Sequence, residues 1–207
     1  MTDTLQSLGT LYTLSAASGT GKTSLVSALI ESMENIQVSI SYTTRAPRTE
    51  EIDGINYHFV DLTTFQSMQK NNQLLESAQI YNNYYGTSKE TVNEKLQQGI
   101  DVILEIDGQG AEQIRKILPN TIAIFILPPS KNTLKQRLQV RGQDKAEIIE
   151  QRMKAAVNEI KQYQKADYLV VNDDFNQALL ELKSIVIAHR AKNKPQKHQQ
   201  LIDNLLS

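Results

Sequence analysis

Cysteine is missing from all 207 residues. That excludes a disulfide framework and any thiolate metal site. Histidine is scarce: His58, His189 and His198 lie far apart in sequence and form no metal-ligand pair. An excess charge of one sign is also missing, with 22 Lys and Arg against 23 Asp and Glu. A dedicated nucleic-acid binder carries a basic surplus, so no nucleic-acid partner is expected. No apolar run approaches the roughly 20 residues that span a bilayer, and no membrane partner is expected. The longest run, IAIFIL at 122–127, suits a buried strand. The start MTDTLQSLGT has neither a basic opening nor a long apolar core, so no signal peptide is expected. Internal repeats and low-complexity tracts are absent too. With 40% hydrophobic residues, the chain can bury the core of one or two small domains. The expectation is a cytoplasmic protein, with a homo-oligomer left open.

Four apolar runs read as buried parallel strands: LYTLSA (11–16), DVILEID (101–107), IAIFILPP (122–129) and YLVVND (168–173). They do not alternate, as expected where helices cover both faces of a sheet. Amphipathic stretches lie between them. In 22–34, Leu25, Val26, Leu29, Ile30 and Met33 make one apolar stripe. Thr87 and Glu90 have the spacing of a capping box before a helix stopping at Gly99, and Ser130 can cap a helix ending near Gly142. Segments 144–164 and 174–192 also read as helical. The alternation predicts an α/β fold, a doubly wound parallel sheet. Residues 37–86 break the rhythm. QVSIS and INYHFV alternate, which predicts a small, partly antiparallel sheet. The expected division is a core of 1–40, 95–134 and 161–207, an inserted α+β substrate domain of 41–94, and a helical lid of 135–160.

The stretch AASGTGKT (16–23) joins the first strand to the first helix. It approaches the phosphate-binding loop G-x-x-x-x-G-K-[ST], with Ala16 in place of the first glycine. In such a turn, backbone N–H groups and a helix N-terminus face one anion. Gly19 and Gly21 let the backbone approach phosphate. Lys22 can reach the terminal phosphates and Thr23 can offer its hydroxyl to Mg²⁺. Alanine is tolerable at 16 unless that position needs positive φ. Glu105 and Asp107, two apart at a strand's C-terminal end, are expected to share a face and to include a partner for the metal.

Phosphoryl transfer needs positive charge around the moving group. Arg45 and Arg48 flank a proline turn. Arg137 and Arg141 sit at helical i, i+4 spacing, and Arg152 follows in the same region. Tyr57, Tyr84 and Tyr85 lie with the first arginine pair; Tyr84 is better read as packing.

The strings SAASGTGKTSL, SYTTRAPR, GINYHFV, LLESA, NNYYGTS, LEIDGQG, ILPPS, RLQVRG and VNDD follow one another in this order. In that order the chain resembles bacterial guanylate kinases from about Gly9 to about Arg190. The resemblance implies transfer of the γ-phosphoryl group of ATP to GMP, with Mg²⁺ as cofactor and dGMP as a further acceptor. It implies that Ala16, Ala17, Ser18, Gly19, Thr20, Gly21, Lys22 and Thr23 hold ATP together with Arg137, Arg141 and Asn172, the last near the adenine. Arg45, Arg48, Tyr57 and Tyr85 would hold the GMP phosphate, and Ser41, Glu76, Thr87 and Asp107 would face guanine. Lys22, Arg45, Arg137, Arg141 and Arg152 would be the catalytic set, with Thr23 and, through water, Glu105 on the metal. Guanine chemistry agrees. Its N1–H and N2–H₂ can both donate to Glu76, and Ser41 can donate to O6, whereas adenine leaves these groups unpaired.

Three positions depart from the family pattern. Besides Ala16, Glu105 stands where aspartate is usual. Gly108 stands where a larger residue is common, which is expected to loosen the turn after the strand. Two other functions remain open: a guanylate-kinase-like interaction module without catalysis, and a kinase acting on a phosphorylated ribose. The intact Lys22 and arginine set speak against the first, and Glu76 with Ser41 against the second.

Overall fold

The apolar run at 11–16 becomes the central strand of a parallel sheet, flanked by strands more than eighty residues away in sequence. The computed structural model describes residues 8–80, 82–140, 146–192 and 195–207. In chain order its elements are β1 (Leu11–Ala16), α1 (Lys22–Glu31), β2 (Ile36–Val38), β3 (Tyr42–Thr43), β4 (His58–Phe59) and α2 (Leu62–Lys70). They continue with β5 (Leu74–Ile80), β6 (Asn83–Ser88), α3 (Lys89–Gln97), β7 (Asp101–Glu105), α4 (Gly108–Ile117) and β8 (Ile122–Leu127). Last come α5 (Lys131–Val140), α6 (Ala146–Ile160), a 3-10 turn (Lys161–Lys165), β9 (Tyr168–Val171), α7 (Phe175–Ala191) and α8 (Pro195–Leu206).

The main sheet runs β2-β7-β1-β8-β9, with every pairing parallel. Helices cover both faces, which explains the unbroken apolar strands. On one face Tyr12, Leu14, Ile124 and Ile126 pack against Leu25 and Leu29 of α1 and Leu182 and Val186 of α7. On the other, Leu11, Val102 and Leu104 meet Val92 of α3 and Ile114 of α4. All four expected strands are present. The sheet has a fifth, because QVSIS does not join the small sheet: Ile36–Val38 pairs with β7 at the edge of the main one. Its buried Ile36 belongs to the main core, and that burial decides where the short strand goes.

The small sheet runs β4-β3-β6-β5. Its β5–β6 and β3–β6 pairs are antiparallel and β3–β4 is parallel. Phe65 of α2 is fully buried, and Tyr84 packs on its ring at 5.7 Å between centroids, the packing role expected for Tyr84.

The cap of α3 lies one residue later than expected. Ser88, not Thr87, accepts from the Thr91 N–H, at 3.3 Å. Strand β6 continues through Ser88, so the Thr87 side chain is engaged across the sheet with Glu76 instead. Ser130 does cap α5, accepting from Thr133 N–H at 3.0 Å. The expected end near Gly142 lies outside the described residues. The long helix expected at 144–164 finishes as a 3-10 turn from Lys161. Among the described residues no helix is long and apolar enough to cross a membrane.

One polar fastening closes the N-terminal edge of the main sheet. Asp101, only 4% exposed, accepts from the Thr10 N–H at 2.6 Å and from Arg190 Nε at 2.7 Å. Arg190 also donates to the carbonyls of Glu34 and Asn35. Four segments thus meet at one carboxylate. Asp101→Asn is expected to lower unfolding free energy by about 2–4 kcal/mol, since it strands a partly buried guanidinium. Denaturant titration measures this. Activity well below the melting temperature should be unchanged, because the residue lies at the opposite strand ends from the phosphate loop.

Candidate active site

Strand β1 runs to Ala16, which pairs with Ile126 and therefore keeps extended backbone. The left-handed residues of the loop are Gly19 and Gly21, both at φ 88°. The missing first glycine is therefore not missed: positive φ is needed only where glycine stands. Gly21 caps α1, so the first free N–H groups of that helix lie at Lys22 and Thr23. A side chain at Gly21 would have no room, since a Cβ there would lie 2.5 Å from Asn172 Nδ2.

The loop is braced from β9 and α5. Asn172, 4% exposed, donates from Nδ2 to the Thr20 carbonyl at 2.7 Å. Arg137 donates to the Asn172 carbonyl through both terminal nitrogens at 3.1 Å, and to the Thr20 carbonyl at 3.3 Å. Asn172 was expected near adenine; its amide is engaged with the loop backbone. Ala17 packs beneath the loop with Leu134 and Leu138 of α5 and Ala156 of α6.

Above the loop stands Glu105. Its Oε2 lies 3.5 Å from Lys22 Nζ and accepts from Thr23 Oγ1 at 3.2 Å. Burial pushes the Lys22 ammonium below its ordinary value, while the neighbouring Glu105 carboxylate opposes that shift. Contrary to the expectation that Asp107 shares the strand and face of Glu105, it lies beyond β7, which ends at Glu105. It caps α4 instead, accepting from the Gly110 N–H at 2.9 Å, while its charge still reaches Lys22. Gly108 follows Asp107 in this turn. It opens α4 where a Cβ would come within 2.7 Å of Gln162 Cγ, so its lack of a side chain lets the 3-10 turn approach.

Thr23 and Glu105 offer two hard oxygens side by side, a donor set suited to Mg²⁺. Among the described residues no group of three His, Asp or Glu side chains could hold a metal alone. The pair therefore fits an ion that takes its other ligands from phosphate and water.

The small sheet supplies a buried polar pair, Glu76 and Thr87. Glu76 is 5% exposed and accepts from the Thr87 hydroxyl at 2.7 Å. Burial pushes its carboxyl up to about 7; the Thr87 hydrogen bond pulls the other way, and the Asp107 charge adds to the rise. Glu76 also lies against Gly110, where a Cβ would sit 2.8 Å from Oε2. Ser41 precedes β3, with its carbonyl accepting from His58 N–H at 2.9 Å.

Arg45 donates to Glu51 Oε1 at 2.8 Å and to the Ala46 carbonyl at 2.7 Å, and lies 5.5 Å from the Tyr57 ring centroid, while, against the opposing effect of burial, Glu51 and Tyr85 raise its guanidinium. Tyr57 and Tyr85 meet edge-on at 5.9 Å. Glu51 also accepts from the Arg48 N–H at 2.8 Å. Burial opposes its charge, yet the bonds from Arg48 and Arg45 hold its carboxyl below the usual carboxylate range. Burial raises the Tyr57 hydroxyl, with Tyr85 acting in the same direction.

Three groupings result: the loop with Lys22, Thr23, Glu105, Arg137 and Asn172; the pocket of Glu76, Thr87 and Asp107; and Arg45 with Tyr57 and Tyr85. Arg152 lies half-buried on α6, and Arg141 falls outside the described residues. Two carboxylates escaped the sequence reading. Glu51 lies three residues past Arg48, in a polar turn where any acid looks solvated. Glu159, two helical turns past Arg152, accepts from the Ser18 N–H at 3.0 Å.

Comparison with known proteins agrees with this geometry. The guanylate kinase family model matches residues 9–189. A guanylate kinase of Saccharophagus degradans is 57% identical over 201 residues, covering 96% of this chain and 98% of the relative. One of Psychrobacter arcticus is 53% identical, covering 96% and 97%. The crystal structure of guanylate kinase from Anaplasma phagocytophilum superposes with a TM-score of 0.76 at 30% identity, covering 92% of this chain and 91% of the other. The α/β fold, the phosphate loop and these relatives agree that the chain belongs to the guanylate kinase family of phosphotransferases.

Proposed function

We propose that this chain transfers the γ-phosphoryl group of Mg²⁺-ATP to GMP, and to dGMP, giving ADP and the nucleoside diphosphate. One observation carries the choice of acceptor: a buried carboxylate, Glu76, is held by Thr87 and lies within the field of Asp107, whose charge also reaches Lys22 of the loop. The guanine edge presents two adjacent donors, N1–H and N2–H₂, that one carboxylate can accept together. Ser41, Thr87 and Asp107 complete the base side in this reading. Arg45, Arg48, Tyr57 and Tyr85 bind the GMP phosphate.

The ATP phosphates lie in the loop of residues 16–23. Lys22 lies on the terminal phosphates, and Arg137, Arg141 and Arg152 add positive charge. Asn172 acts on the ATP side by holding the Thr20 carbonyl and so fixing the loop. Thr23 directly, and Glu105 through water, would hold Mg²⁺, which would supply neutralisation of the phosphate charge. A GMP phosphate oxygen attacks the γ-phosphorus, and the bond to the β–γ bridging oxygen breaks, leaving ADP. No general base is needed, since the attacking oxygen is already anionic. Rate enhancement comes from positioning and electrostatics. Residues 41–94 act as the GMP-binding unit and 135–160 as a lid that excludes water on closure.

An ADP-release assay with GMP, dGMP, AMP and ribose phosphates tests this reading. Turnover is expected with GMP and dGMP only, and Lys22→Ala should lower it at least about 10³-fold. Absence of turnover with every acceptor would favour the interaction module.

Glu76 makes the base pocket pH-dependent. In the free protein its carboxyl is neutral below about 7. Accepting two guanine donors requires the ionised form, so GMP affinity should rise with pH up to about 7 and then level. The sign for stability is opposite. A carboxyl raised in the folded state contributes stability that is full below its unfolded value near 4.5 and is lost as pH rises through about 7. Glu76→Gln should therefore melt higher than the parent above pH 7, by on the order of 2–4 kcal/mol. It should also lose GMP-over-AMP selectivity. Calorimetric titration and thermal melts from pH 5.5 to 8.5 check both.

Glu51 orients the arginine pair without touching the base. Glu51→Gln should raise KM for GMP about tenfold or more, the worth of a charge-assisted bond, with kcat within about twofold. Steady-state kinetics with GMP varied would show this split.

A further inference from the structure

The phosphate loop of this chain already holds an anion of its own. Glu159, on the last turn of α6, accepts from the Ser18 N–H at 3.0 Å. Ser18 is the third residue of AASGTGKT, so that amide lies on the loop read as the phosphate site. Glu159 also acts electrostatically on Lys22. Lys22 thus lies in the field of three carboxylates, Glu105, Asp107 and Glu159. Two of these carboxylates have work elsewhere: Glu105 binds Thr23, and Asp107 caps α4. For Glu159 the described partner is the loop amide.

We propose that Glu159 is a latch on the nucleotide-free loop: it occupies the Ser18 amide, and the phosphates of ATP displace it on binding. This rests on the reading of the loop as the ATP site. A carboxylate and a triphosphate cannot share one N–H without strong like-charge repulsion. The Ser18 end of the loop is solvent-exposed, so the bond opens without exposing buried surface. Displacement is also coupled to the lid region. Ala156, three residues before Glu159, is buried against Ala17 of the loop and against Leu134 and Leu138 of α5. Arg152 lies seven residues before Glu159 on the same helix, two turns away on a shared face. Release of Glu159 thus frees a carboxylate on the helix that carries Arg152, while Ala156 keeps that helix packed on the loop.

The test compares the parent with Glu159→Ala and Glu159→Gln, using amide hydrogen exchange at Ser18 and calorimetric titration with Mg²⁺-ATP and with adenosine. In the ligand-free parent the Ser18 amide should be protected, and in Glu159→Ala it should exchange faster. If the latch is closed in about nine chains of ten, its removal tightens ATP binding about tenfold. Glutamine keeps an acceptor but no charge, and should give a gain smaller than that of alanine. Adenosine, which lacks phosphate, should bind all three equally. A residue that merely supports the loop would instead weaken ATP on removal. If the parent binds ATP and both variants bind it equally or more weakly, the latch is overturned while the ATP reading stands. If the parent binds no ATP, the reading of the loop itself falls, and the latch with it.

Discussion

The site depends on one reversal of the backbone, between the last residue of β1 and the first of α1. Gly19 and Gly21 take it through left-handed conformations that other residues enter only at a cost. Everything else around it answers to that turn. Asn172 and Arg137 both donate to its Thr20 carbonyl, Ala17 is buried beneath it, and Glu105 reaches Lys22 and Thr23 from the neighbouring strand. The turn also fixes what may pack on it, because Asn172 occupies the space that a side chain at 21 would need.

Much of this was legible in the sequence where a residue type answers a local demand. Glycines at 19 and 21, a lysine and threonine opening a helix, and unbroken apolar strands each carry a physical meaning that survives without coordinates. Reading failed where the outcome depended on a partner distant in sequence. Thr87 and Ser88 are both competent caps; cross-strand pairing with Glu76 decides between them. QVSIS alternates like a strand of the small sheet, yet burial of Ile36 assigns it to the large one. Asp107 looks like a strand-end acid until β7 stops two residues earlier. Glu51 and Glu159 are acids in polar surroundings, and nothing in their neighbours in sequence announces an arginine or a loop amide.

The departures from the family pattern resolve differently. Ala16 needs no compensation, because its backbone is extended. Glu105, longer by a methylene, contacts both Thr23 and Lys22. Gly108 is matched by Gln162, which occupies the space beside it, so the two positions are expected to change together. A larger side chain at 108 would have to push away the 3-10 turn that follows α6.

The strand order has a consequence for how the chain is made. β1 is central, and its neighbours β7 and β8 begin at Asp101 and Ile122. A ribosome delivering about 5–20 residues per second leaves β1 without either partner for several seconds. For that time the turn at Gly19 and Gly21 has no sheet to anchor it, since closing so long a segment precedes any gain from pairing. The turn therefore waits for its sheet partners until about half of these residues have been made, and its Asn172 brace arrives later still.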